Sequence, residues 1–123
     1  HLRKAYVLRV KHGNRSWLLE KRYSDFVAFE KQLKLKFWYM AIPKLPPKKF
    51  FFNYDQDFLE TRRLELQRFM QDLLKTACWS QSDVMWDFLT DDKSIVGVPA
   101  DAGDEEEEVG SVFKGPMAAS LAR

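Results

Sequence analysis

Residues 16–26 read Ser16-Trp17-Leu18-Leu19-Glu20-Lys21-Arg22-Tyr23-Ser24-Asp25-Phe26, and within them the spacing of apolar side chains changes character. Trp17 and Leu19 stand two apart, the period of a strand with one buried face, so Ser16 to Tyr23 is expected to be extended. From Ser24 the period lengthens. Phe26, Phe29, Leu33 and Phe37 follow at three and four residues, which predicts a helix capped by Ser24 with Asp25 as a first-turn acid. A strand running straight into a helix places the Lys21-Arg22 pair at their corner. Upstream, Tyr6, Leu8 and Val10 alternate and His12-Gly13-Asn14 reads as a turn, so the corner strand is the second arm of a β-hairpin.

Downstream, Ile42 to Lys49 carries Pro43, Pro46 and Pro47, which forbid a helix and favour an extended loop bearing Lys44, Lys48 and Lys49. The strongest periodic signal comes next. Leu66, Phe69, Met70, Leu73, Leu74 and Ala77 make one apolar stripe, the mark of a central core helix running to Cys78-Trp79-Ser80. A short helix capped at Ser82, with Val84, Trp86, Phe88 and Leu89, closes the body near Asp91-Asp92. The expected class is α+β: a small antiparallel sheet against about three helices, with a proline-rich loop between the first two.

The chain has 123 residues, 46% of them hydrophobic, which suits one domain with one core. Its charge is uneven. Residues 1–93 hold 18 Lys and Arg against 12 Asp and Glu, whereas 94–123 hold 2 against 6, including the run Asp104 to Glu108. The expected division is therefore a basic domain over 1–93 and an acidic, disordered tail or linker over 94–123. A single cysteine, Cys78, requires no oxidising compartment, and the longest apolar runs fall far short of the about 20 residues that cross a bilayer. A chain opening at His1 reads as a fragment.

Catalytic signatures are missing. His1 and His12 stand apart from Cys78, so no metal site is readable, and no phosphate-cradling glycine loop or H-E-x-x-H occurs. The pairs Asp55 with Asp57 and Asp91 with Asp92 read as solvated caps. The expectation is a protein that is not an enzyme, with no cofactor and no metal.

Arg62 is the informative residue. At about 100° per residue it falls in the stripe of Leu66, Phe69 and Leu73, so a guanidinium points where apolar groups point. That is costly unless acceptors or an anion meet it. An internal carboxylate, Asp25 or Glu60, would serve; so would a bound anion in a cleft. Arg22 lies beside a helix N-terminus, where free N–H groups favour anions, and Lys48 and Lys49 close the proline loop. Tyr23 offers a flat face on which a sugar or inositol ring could rest.

These residues resemble a known family. Lys21-Arg22-Tyr23-Ser24-Asp25-Phe26 is similar to the basic-basic-Tyr-Ser-Asp-Phe motif of PX (phox homology) domains, and Ile42-Pro43-Lys44-Leu45-Pro46-Pro47-Lys48 resembles their apolar-P-x-x-P-x-K loop. Phe58-Leu59-Glu60-Thr61-Arg62-Arg63 with Leu66, Gln67 and Phe69 resembles the Arg-bearing helix that follows, and Phe88-Leu89 the terminal pair. The likeness spans about residues 6 to 92 in family order.

The resemblance implies a phosphoinositide-binding module, commonly reading phosphatidylinositol 3-phosphate, on a cytoplasmic protein that sits peripherally on endosomal membranes, as sorting nexins do. Carried over by position, Arg22 would grip the 3-phosphate, Tyr23 would stack under the inositol ring, Lys48 would meet the 1-phosphate and Arg62 would bond the 4- and 5-hydroxyls. A headgroup contact needs a second anchor. Phe51 and Phe52, in the run Phe50-Phe51-Phe52 with Tyr54, are expected to enter the bilayer interface beside Lys44 and Lys49, with Phe50 in the core. Trp38, Tyr39 and Met40 are a second candidate. Two departures accompany the likeness: there is almost no room for a first strand before Tyr6, which is expected to be missing or truncated, and Lys21 stands where a second Arg is usual.

Rival readings remain in other classes. Pro43-Lys44-Leu45-Pro46-Pro47-Lys48 also fits a P-x-x-P-x-basic ligand for an SH3 domain, a protein-interaction function alongside a trafficking-complex partner. Nucleic-acid binding is disfavoured, because the helix aromatics fall at core spacing rather than along a groove.

Overall fold

The computed structural model describes residues 5–48, 56–98, 111–112 and 115–122. The hairpin forms as β1 (Ala5–His12) and β2 (Arg15–Arg22), antiparallel from Ala5 opposite Arg22 to His12 opposite Arg15. Its tight turn uses Gly13 at φ +66°, a conformation open to glycine without steric cost. Alternation does what its period requires: Tyr6, Leu8, Val10 and Leu19 are buried on one face. The Trp17 indole N–H reaches the Leu89 carbonyl at 2.7 Å, tying the sheet to the end of the short helix that closes at Leu89.

Helix α1 (Tyr23–Lys36) begins on the residue after β2. Ser24 is not its cap. Arg22 holds that position, and the Asp25 carboxylate accepts the Arg22 N–H at 2.7 Å. Starting two residues early puts Asp25 at the third helical position, where a carboxylate can turn back to the corner N–H. Phe26, Phe29, Leu33 and Phe37 are buried as their spacing demands.

Residues 41–48 are irregular, as three prolines dictate. Helix α2 (Gln56–Leu74) then carries the stripe, with Leu66, Phe69, Met70, Leu73 and Leu74 each no more than 2% exposed. Burying one such side chain contributes about 1.5–3 kcal/mol. Where the core helix was expected to end, a separate turn forms, α3 (Ala77–Ser80), so the helices number four among the described residues. Helix α4 (Asp83–Leu89) is capped as expected, the Ser82 hydroxyl accepting the Met85 N–H at 3.2 Å. Phe88 stacks on Phe29 at 4.1 Å and meets Phe26 edge-on at 5.3 Å, which joins α4 to α1.

Within 94–123, expected to be an acidic, disordered tail or linker, the described residues include three strands. After a 3-10 turn (Asp92–Ser94), β3 (Ile95–Gly97) pairs with β2 at Leu18 and Leu19. Further on, β4 (Ser111–Val112) and β5 (Gly115–Ala122) extend the sheet to the order β3-β2-β1-β5-β4. Strand β5 runs antiparallel to β1, from Val7 opposite Ala122 to His12 opposite Met117. The β1 edge expected to lack a neighbour is therefore covered from the C-terminal side. An unpaired edge offers a row of N–H and C=O groups to any extended segment, and that demand leaves little trace in a sequence as bland as Met117-Ala118-Ala119-Ser120. The acidic run Asp104 to Glu108 lies outside the described residues. The class remains the expected α+β, one antiparallel sheet against helices.

Candidate functional site

Arg62 is 6% exposed, and among the described residues no carboxylate makes an ion pair with it. Its Nη2 donates to the Pro47 carbonyl at 2.8 Å. The guanidinium carbon lies 4.0 Å from the Tyr23 ring centroid and 4.8 Å from that of Phe58. The acids that could have served are engaged elsewhere: Asp25 takes the Arg22 N–H, and Glu60 pairs with Arg63 at 2.7 Å. Cation–π contact and a carbonyl make burial of a guanidinium tolerable, yet its Nε has no hydrogen-bond partner among the described residues. A buried donor without an acceptor costs about 1–3 kcal/mol, which an arriving acceptor would recover.

The proline loop is fastened over this cation at three points. The Leu45 N–H donates to Glu30 Oε2 at 3.2 Å, the Tyr23 hydroxyl donates to the Pro46 carbonyl, and Arg62 holds Pro47. Chain connectivity then sets the flanks. Arg22 directly precedes Tyr23 and Lys48 directly follows Pro47; both are exposed. Arg22 makes no ion pair among the described residues, and it sits at the N-terminus of α1, where the helix dipole adds to its positive field. Tyr23, Arg62 and the Pro46–Pro47 segment, from three separate stretches of sequence, thus meet at one corner, with Arg22 and Lys48 next to it along the chain.

Burial raises the Tyr23 phenol above its ordinary value, with Arg62 opposing, and the same holds for Tyr6. Both therefore stay protonated at neutral pH. The corner offers cations and aromatic faces, which can hold an anion bearing a ring. Among the described residues no group of His, Cys, Asp and Glu could hold a metal ion.

Of the other expected contacts, Lys44 is exposed on the loop, whereas Lys49, Phe50, Phe51, Phe52 and Tyr54 lie outside the described residues. Trp38 and Tyr39 are 79% and 66% exposed, but they follow the far end of a 14-residue helix, about 20 Å from the corner. They do not join the site. Three contributors were not expected from sequence: Phe58 as the second wall, and the carbonyls of Pro46 and Pro47. Phe58 stands four residues before Arg62, the spacing of helix neighbours, and that signal was available. Backbone carbonyls give none.

The model of the PX domain family matches residues 9–92. The chain belongs to the PX domain family. Among its relatives, Sorting nexin MVP1 of Candida albicans is 44% identical over 71 residues, and Sorting nexin-8 of Homo sapiens is 39% identical over 70. Each alignment covers 57% of this chain but only 10% and 15% of those proteins. The PX domain described here thus spans a small part of the length of the curated relatives it matches. A crystal structure of a designed CISK-PX domain superposes with a TM-score of 0.63 at 30% identity, over 69% of this chain and 80% of that one. The PX match ends at residue 92, so β5 lies beyond it.

Proposed function

We propose that this PX domain reads phosphoinositide headgroups, phosphatidylinositol 3-phosphate above all, and so brings its protein to endosomal membranes for trafficking. The observation that carries the reading is Arg62, buried, lying over Tyr23 and left with an Nε that has no partner among the described residues, at a corner flanked along the chain by Arg22 and Lys48. Arg22 grips the 3-phosphate through charge-assisted, often bidentate bonds, about twice as strong as neutral ones. Tyr23 lies against the inositol ring, Lys48 meets the 1-phosphate, and Arg62 bonds ring hydroxyls. The 3-phosphate preference rests on the loop shape excluding further phosphates.

Attachment is peripheral in this reading. No helix among the described residues is long and apolar enough to cross a membrane. Phe51 and Phe52, with Lys44 and Lys49, supply the bilayer contact that a headgroup alone does not. The reading as an SH3 ligand loses support, because Pro46 is buried and the loop is pinned by Glu30, Tyr23 and Arg62.

Liposome cosedimentation across a phosphoinositide panel tests the proposal. Binding should depend on the 3-phosphate and fall at least about tenfold in Arg22→Ala and in Arg62→Ala, as expected for a lost charged hydrogen bond. Phe51→Ser should weaken binding to bilayers more than to soluble headgroup. Equal binding by Arg22→Ala and the parent would remove the lipid assignment.

A further inference from the structure

Helix α1 ends in a turn that forces two aromatic side chains into solvent. Phe37 is buried and its N–H donates to the Leu33 carbonyl at 2.8 Å, while Met40 packs against the core and its N–H donates to the Phe37 carbonyl at 3.0 Å. Trp38 and Tyr39, between these two anchors, are left facing out. Their rings meet edge to face with centroids 5.5 Å apart, and Leu35, three residues before Trp38, is 78% exposed. An aromatic side chain carries about 150–250 Å² of surface, so the three together show several hundred Å² to solvent. The largest apolar patch on a typical monomer measures about 300–600 Å² and is often functional. A turn held at both ends also presents its rings with little left to order when something binds.

What surrounds the patch is basic. Lys31 stands four residues before Leu35 and three before Lys34, so these side chains share the exposed face of α1. Lys34 Nζ lies 3.6 Å from Glu30, whose carboxylate is only 15% exposed and already accepts the Leu45 N–H. Lys36 pairs with Asp83, the first residue of α4. Lys31 makes no ion pair among the described residues. Three lysines against two carboxylates leave one positive charge over, and it stands one helical turn from the apolar patch.

We propose that this end of α1 docks a segment of a protein partner that carries apolar side chains beside carboxylates, the apolar groups covering Leu35, Trp38 and Tyr39 and a carboxylate meeting Lys31. Trp and Tyr are the residue types that supply much of the energy of protein interfaces when they are desolvated. A bilayer is a poorer match, because anionic lipid would repel the exposed Asp83 carboxylate at the rim, whereas a peptide can set a charge of its own against each sign. The patch and the headgroup corner lie at opposite ends of α1, about 20 Å apart, so the domain can hold a lipid and this partner at once.

NMR titration of the full chain with the peptide acetyl-Glu-Phe-Glu-Ala-Phe-Glu-amide tests this, with the same peptide carrying glutamine for glutamate as the uncharged control. Saturable shifts should appear in the Trp38 indole N–H and in amides 31–39. Affinity should fall about fivefold or more for the glutamine peptide and for Lys31→Glu, which turns an attraction into a repulsion. Trp38→Ala combined with Tyr39→Ala should abolish the shifts at 31–36 while leaving vesicle binding unchanged, since both side chains stand in solvent and the core does not need them. Shifts that do not saturate, or equal titration of Lys31→Glu and the parent, would overturn the proposal. Weaker binding of the double variant to phosphatidylinositol 3-phosphate vesicles would also overturn it and make the patch a bilayer contact. Trp38 indole shifts on replacing Glu105 to Glu108 by glutamine, with no peptide present, would overturn it in favour of the chain's own acidic run.

Discussion

The guanidinium of Arg62 lies over the ring of Tyr23, 4.0 Å from its centroid, and the same two side chains hold the neighbouring carbonyls of Pro47 and Pro46. One contact thus joins the second core helix, the strand-to-helix corner and the proline loop. Loop position and cation position are set together.

Arg62→Lys should not restore this arrangement. A lysine carries charge but lacks the planar fork that can stack on Tyr23 while bonding Pro47. Loss of a charged hydrogen bond should lower stability by about 1.5–3 kcal/mol. The shift in urea midpoint at unchanged slope measures it.

Lys21 should make the domain more stable as the solution becomes alkaline. Burial lowers its pKa in the folded state, with Asp91 and then Asp25 opposing, so the unfolded chain binds more protons once the pH exceeds the folded value. Stability then rises with pH until the ordinary lysine value of 10.5 is reached. Lys21→Met should remove that rise, and it should cost little at neutral pH because the abandoned partner, Asp91, is exposed. Denaturant midpoints at neutral and alkaline pH decide the matter. The raised phenols of Tyr6 and Tyr23 act oppositely near their ordinary value of 10.0, which keeps the useful window below it.

Leu73→Ala should come close to unfolding the domain. The side chain is 0% exposed at the centre of the stripe, and such truncations cost about 2–5 kcal/mol. A domain of this size has about 5–15 kcal/mol in total. Circular dichroism should show a thermal midpoint many degrees lower.

Strand β5 should be removable by a single residue. Alternate N–H groups of a strand face opposite neighbours, so one of Ala118→Pro and Ala119→Pro deletes a donor aimed at β1. Amides of Arg9 and Lys11, which face β5 because His12 and Arg15 are the hydrogen-bonded pair that closes the hairpin, should then exchange with deuterium about tenfold faster or more, the scale of one lost hydrogen bond. Unchanged exchange in both variants would show that β5 adds nothing to the edge.

Much of this fold and site could be read before any coordinates. Tyr6, Leu8 and Val10 announce a strand, Leu66 to Leu74 a helix, and the inward guanidinium of Arg62 a site, because side-chain periodicity records which face a residue must bury. The Ser24 cap went astray by two residues, since Ser24 and Asp25 both suit a helix start and only the reach of the Asp25 carboxylate to the Arg22 N–H chooses between them. The β5 pairing went unread because strands of Ala, Ser and Met carry almost no periodic signal.

The amino-acid order alone therefore determined the types of β1, β2, α1, α2 and α4, the inward face of each and the family, all of which follow from local spacing and motifs. The folded chain decided which partners meet: Arg62 takes the Pro47 carbonyl and the Tyr23 and Phe58 rings rather than Asp25 or Glu60, Lys21 lies over the Phe88 ring, and β5 covers β1. Those choices depend on backbone groups and distances between remote segments, which no spacing along the chain encodes.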